Sequence, residues 1–132
     1  MNKHSPNALL EAAAEARLNA HSKYSKFSVG SALITEGDSI FLGCNVENAS
    51  YGLTICAERV ALTSAVVAGH KSFLAMAIVA DELAAPCGAC RQVLAEFCKN
   101  DFPVYVALVN DCTSFKTHLL GKLLPERFHF NP

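Results

Sequence analysis

Two short segments constrain this chain more than any other feature: Cys56-Ala57-Glu58 and, further along, Pro86-Cys87-Gly88-Ala89-Cys90. Three thiols and a carboxylate act together only if the fold brings both segments to one point. Cys87 and Cys90 are three apart, a spacing at which both thiolates reach one ion from a loop and the first turn of a helix. A structural zinc site normally closes its shell with a fourth protein ligand, so Cys56, Cys87 and Cys90 alone leave a position open for water. Read in isolation, Cys87-x-x-Cys90 also fits a redox pair or half of a structural zinc site.

Both cysteine segments read as helix N-termini, where unpaired backbone N–H groups and the helix dipole favour negative charge and help keep thiols as thiolates. Three thiolates around a dication still leave a net negative cluster, which opposes deprotonation of water beside it. Arg59 follows Glu58, and a hydrogen bond from its guanidinium to a ligand sulfur withdraws some of that charge. An ordinary surface ion pair is the alternative for Arg59. The hard carboxylate of Glu58 could bind the ion, but two residues from Cys56 it can instead accept a proton from metal-bound water and return it to a substrate nitrogen.

The remaining sequence suits one domain spanning residues 1–132. Hydrophobic residues make up 52% and charged residues 17%, which argues for a packed core and against disorder. So high an apolar share in a short chain also fits burial of surface between subunits of a homo-oligomer. Eleven Lys plus Arg against twelve Asp plus Glu, without a basic run, give no footprint for nucleic acid. Glu11 and Glu15 interrupt the early Ala/Leu stretch, so neither a signal-peptide core nor a membrane span is expected. Six cysteines without a secretory route predict a cytoplasmic protein with reduced thiols. Cys44, Cys98 and Cys112 stand apart from the motif and read as small buried hydrophobes.

Ser5-Pro6 marks a helix start, with Leu9, Ala13, Ala16 and Ala20 forming its apolar stripe. Residues 28–35 and 39–46 read as a hairpin turned at Glu36-Gly37-Asp38. A second helix is expected over 55–68, with Thr54 as cap and Gly69 as stop. The apolar run 74–80 reads as a central strand and 88–98 as a helix opening at Cys87 and Cys90. Strands over 103–109 and 114–118 complete the order αββαβαββ on a sheet of about five strands, and a short helix over 119–124 follows.

The pattern Cys or His, x, Glu, then Pro-Cys-x-x-Cys is that of zinc deaminases, whose Glu is not a ligand. Beyond it, residues 27–32 (FSVGSA), 43–51 (GCNVENASY), 56–59 (CAER), 86–92 (PCGACRQ) and 123–125 (LLP) closely resemble the small, homotetrameric class of cytidine deaminase, over nearly the whole chain. The resemblance implies a three-layer α/β/α sandwich around a mixed five-stranded sheet. It implies deamination of cytidine and 2′-deoxycytidine to uridine and 2′-deoxyuridine, with one Zn2+ per chain on Cys56, Cys87 and Cys90. Phe27 is then expected to pack on the pyrimidine, Asn45 and Glu47 to bind a ribose hydroxyl, and Ala57 to contribute its backbone N–H. Tyr51 and Phe128 resemble residues that the family lends to a neighbouring subunit's site. The chain departs from many relatives at Gly52, Thr54, Ser28 and Ala85, which flank the chemistry.

Two other readings compete. A zinc deaminase for a nucleotide, a nucleoside-like antibiotic or a base in RNA or DNA needs convergent basic residues or a basic groove with stacking aromatics, neither of which is evident. A noncatalytic zinc module needs a fourth protein ligand, and none of His4, His21, His70, His118 and His129 falls at ligand spacing from the cysteines. Tyr24, Tyr105 and Phe115 read as packing residues.

Overall fold

The computed structural model describes residues 4–132. Of the domain expected over residues 1–132, the first three lie outside the described residues. The chain runs α1 (Pro6–Arg17), β1 (Gly30–Thr35), β2 (Ile40–Cys44), α2 (Ala57–Val67), β3 (Phe73–Ala80), α3 (Gly88–Phe97), β4 (Pro103–Leu108), β5 (Asp111–Leu119) and α4 (Leu120–Leu123), with a short 3-10 helix at Tyr51–Leu53 between β2 and α2. The strands lie in the order β2-β1-β3-β4-β5. β3 and β4 are parallel and all other neighbours antiparallel, so the sheet is mixed, as the resemblance implied.

Period-two alternation sends successive strand residues to opposite faces, and each face has its own helices. Ala32, Ile34, Ala77 and Val79 meet Leu9, Leu10 and Ala13 of α1. Leu33, Met76, Ile78, Val104 and Val106 meet Leu62 and Ala65 of α2 and Leu94 of α3 on the other face. The result is three layers, α/β/α. Tyr105 and Phe115 pack edge to face at 5.6 Å beneath α1, in the packing role expected of them.

One glycine sets how closely the metal-site helix approaches. A Cβ on Gly43 of β2 would fall 2.1 Å from the Ala57 carbonyl oxygen and 2.6 Å from the Ala61 nitrogen. Only the missing side chain lets the first turn of α2 lie directly on the sheet.

Several element ends differ from the expected ones, each for a local reason. α1 stops at Arg17, not Ala20, because Leu18, Asn19 and Ala20 bond back only three residues, tightening the end into 3-10 turns. α2 starts at Ala57 with Cys56 as its cap residue. Ile55 is held extended by a bridge to Val46, and Thr54 Oγ1 accepts from Asn48 N, so Thr54 does not cap α2. The other end is as expected: Gly69 (φ 97°) donates to Val66 O and His70 to Ala65 O, the two bonds of a Schellman stop. β5 is longer than predicted, pairing with β4 from Asp111 to Leu119. Of the three cysteines set aside, Cys98 is buried while Cys44 and Cys112 are half-buried.

Candidate metal centre and substrate cavity

The fold brings the two cysteine segments together by placing two helix starts side by side. Cys56 is the N-cap residue of α2 and Cys87 that of α3, while Cys90 lies in the first turn of α3. Neither side chain caps a backbone N–H of its own helix, which leaves both sulfurs to turn outward from the helix start. The three Sγ atoms lie within 4.8 Å of one another, with Cys56 and Cys87 3.8 Å apart. Zinc–sulfur bonds of about 2.3 Å in a tetrahedron put ligand sulfurs about 3.8 Å apart, so this spacing fits one zinc ion per chain. Among the described residues no other His, Cys, Asp or Glu cluster can hold an ion, and no histidine joins this one.

The electrostatics suit a dication. A hydrogen bond from Cys90, helped by Arg59, brings the Cys56 thiol down to about 5, while the same bond and burial push Cys90 up. Cys56 thus takes a negative charge readily while Cys90 beside it resists one, a resistance that a bound dication would offset. Arg59 Nη2 donates to Cys56 Sγ at 3.4 Å, and its bonds to the sulfurs raise its own pKa. Arg59 is therefore a sulfur-binding group, not one half of a surface ion pair. Its Nε is buried without a partner.

Glu58 is buried at 6% exposure in the first turn of α2. Burial pushes its carboxyl up to about 7, with the negative Cys56 adding to the rise. Glu58 lines an open cavity of about 250 Å³ together with Phe27, Asn45, Glu47, Cys56, Ala57 and Cys87, with Val29, Ile78, Ala84 and Ala85 as its apolar wall. Such a volume admits a small molecule, not a polymer.

Asn45 does more than line this space. Where the β1–β2 ladder ends, its Oδ1 accepts from Val29 N at 2.9 Å and its Nδ2 donates to Phe27 O at 2.8 Å, carrying the pairing past the strand and turning Phe27 toward the cavity. The Glu47 carboxylate accepts from Tyr24 N (2.9 Å), Ser25 N (3.1 Å) and Ser25 Oγ, which hold its pKa low. Ser25 lines the cavity and also accepts from Phe27 N at 3.0 Å. Nothing in the sequence pattern marked Ser25 beyond its place in the loop before Phe27.

Tyr51 and Phe128 do not join the cavity of their own chain. They are 76% and 72% exposed. Tyr51 stands 6.0 Å from Tyr24 in an adjacent hollow that also includes Glu47 and Asn48, so Tyr24 borders the site instead of filling the core. Phe128 is fixed through its backbone, where its carbonyl accepts from Gln92 Nε2 at 3.0 Å.

The family model for the cytidine and deoxycytidylate deaminase zinc-binding region matches residues 3–106. Cytidine deaminase from Sporosarcina psychrophila is 48% identical over 91% of this chain and 88% of its own. That from Halalkalibacterium halodurans is 50% identical over 91% of both chains. The crystal structure of cytidine deaminase from Burkholderia pseudomallei, 46% identical, superposes with a TM-score of 0.88 over 97% of this chain and 100% of that one. With the sulfur cluster, the buried glutamate and the fold all in agreement, the chain belongs to the cytidine and deoxycytidylate deaminase zinc-binding family.

Proposed function

We propose that this chain hydrolytically deaminates cytidine and 2′-deoxycytidine to uridine and 2′-deoxyuridine, releasing ammonia, as a single catalytic domain serving pyrimidine salvage in the cytoplasm. The observation that carries the reading is Glu58: a carboxyl in the wall of a nucleoside-sized cavity, two residues from one of three clustered sulfurs.

Zinc held by Cys56, Cys87 and Cys90 supplies, when bound, a Lewis acid that makes hydroxide available near neutral pH. Glu58 takes the proton that water gives up and delivers it to the pyrimidine N3, which makes C4 electrophilic. Hydroxide adds to C4, Glu58 takes the proton of the new C4 hydroxyl and passes it to the exocyclic nitrogen, and the C4–N bond then breaks to release ammonia as the C4 carbonyl forms. The Phe27 ring packs against the base, and the Ala57 N–H, free at the start of α2, binds a polar atom of the ring. Asn45 and Glu47 each spend part of their hydrogen-bonding capacity on the loop and keep the rest for a sugar hydroxyl. Among the described residues no cationic side chain lines the cavity, which favours an uncharged nucleoside over a nucleotide or polynucleotide. No helix among the described residues is long and apolar enough to cross a membrane.

Tyr51 and Phe128, exposed and outside their own cavity, suit a homotetramer in which each is lent to a neighbouring site. The reading is tested by ammonia release from cytidine, 2′-deoxycytidine, CMP and single-stranded RNA under one set of conditions. Turnover confined to the two nucleosides is expected. Silence on both nucleosides, or faster release from CMP or RNA, overturns it.

A further inference from the structure

Arg91 follows the buried Cys90 on α3, and its guanidinium spans two backbone carbonyls from distant parts of the chain. Nε donates to Pro86 O at 2.6 Å and Nη1 to Leu123 O at 2.8 Å. The first acceptor belongs to the peptide unit that supplies the Cys87 nitrogen. The second lies at the end of α4, where helix carbonyls lack intrahelical partners.

We infer that Arg91 is a positioning residue for the metal centre: it locks the Pro86–Cys87 peptide in place and ties it to the segment that leads to Phe128. The three sulfurs are not equally supported. Cys90 is buried within α3, and Cys56 receives Arg59. Cys87 is exposed, at the end of the loop leaving β3. Arg91 fixes the peptide plane just before it with a short, charge-assisted bond, and so limits how far that sulfur can swing from the other two.

Planarity is what suits arginine to this task, since one rigid fork reaches two acceptors at once. The segment beyond α4 is fastened to α3 independently, by Arg127 Nη1 to Ala95 O and Cys98 O and by Arg127 Nη2 to Asn100 Oδ1. These hydrogen bonds of Arg127 go to residues 95–100 and not to residues 86–87, so they anchor the tail without bracing a ligand peptide. The two arginines thus separate tail anchoring from metal support.

The inference rests on zinc binding by Cys56, Cys87 and Cys90, and its test reads the metal without substrate, so it stands or falls apart from the identity of the nucleoside. Zinc-loaded wild type, Arg91→Gln, Arg91→Lys and Arg127→Gln are mixed with a chromogenic chelator, and the cobalt-substituted forms are compared by visible absorption. Arg91→Gln is expected to release zinc about 10- to 100-fold faster, the range for lost support of a metal ligand, and to shift the cobalt–thiolate bands. Arg91→Lys, which can satisfy one carbonyl, falls between the two, and Arg127→Gln releases zinc like wild type even if it melts earlier. Wild-type release and bands in folded Arg91→Gln overturn the inference, as does equal acceleration by Arg127→Gln. Should Arg91→Gln not fold, wild-type release by Arg91→Lys overturns it.

Discussion

Arg59 Nη2 donates to Cys56 Sγ across 3.4 Å from within the helix that Cys56 itself begins. The contact places a fixed positive charge on one of three sulfurs whose combined negative charge would otherwise oppose the ionisation of water beside them. Arg59→Gln removes that charge while keeping a polar side chain. Turnover is expected to fall about 10- to 100-fold in protein of equal zinc content, or zinc affinity to fall by the same factor. Metal analysis alongside steady-state kinetics decides which, and no change in either rules out a role for the contact.

In the proposed mechanism Glu58 moves protons while the sulfurs hold the metal: its carboxyl lies in the cavity wall, and the sulfurs alone form the candidate ion cluster. Glu58→Gln preserves shape and removes the exchangeable proton. It should retain about one zinc per chain and lose roughly two to four orders of magnitude in ammonia release, the usual cost of losing a general acid–base. Near-normal turnover of a metal-loaded variant would contradict the assignment.

Gly43 carries a structural prediction that reaches the metal centre. An added methyl meets backbone atoms of Ala57 and Ala61, which cannot yield as a side-chain end would. Gly43→Ala should cost about 1–3 kcal/mol or more by overpacking and lower zinc retention, since α2 begins beside Cys56. Gly52→Ala is the control, because a methyl there meets nothing within 4 Å. Thermal melts and zinc stoichiometry of both variants check the contrast; matched behaviour would mean that the approach of α2 is not under this constraint.

Burial pushes the Cys98 thiol from 9.0 up to about 12. The native state therefore holds the neutral form while the unfolded chain ionises sooner. The resulting stability is present in full below pH 9 and is lost as pH rises towards 12, at up to about 1.4 kcal/mol per pH unit. Denaturant unfolding at about pH 8 and about pH 10.5 should show a steeper fall for wild type than for Cys98→Ala at equal metal loading. Cys44 and Cys112, also raised by burial, are common to both proteins and cancel. Parallel declines would show that Cys98 ionises as easily in the folded state as in the unfolded one.

Much of the site was legible because its chemistry is written in short spacings. Cys87-x-x-Cys90 needs only one helix turn to converge, and Cys56-x-Glu58 only the start of another. The misplaced cap shows the limit. Thr54 has the right chemistry to cap a helix, but its hydroxyl is taken by Asn48 N, and the bridge between Ile55 and Val46 keeps the chain extended for two more residues. Asn45 was expected to hold sugar, yet its amide also repairs the end of a β-ladder, a duty set by the geometry of the hairpin.

Local periodicity and turn residues were enough to specify the order of helices and strands, and the motif spacing to mark Cys56, Cys87, Cys90 and Glu58 as candidates, because each depends on neighbours within about one or two turns. Only the folded chain decided the strand order β2-β1-β3-β4-β5, the close seat of α2 on Gly43, the Ser25–Glu47 bond and the reach of Arg91 from Pro86 to Leu123. Those contacts join residues far apart in sequence that share no repeat. Their partners are selected by which surfaces meet once the apolar faces are buried.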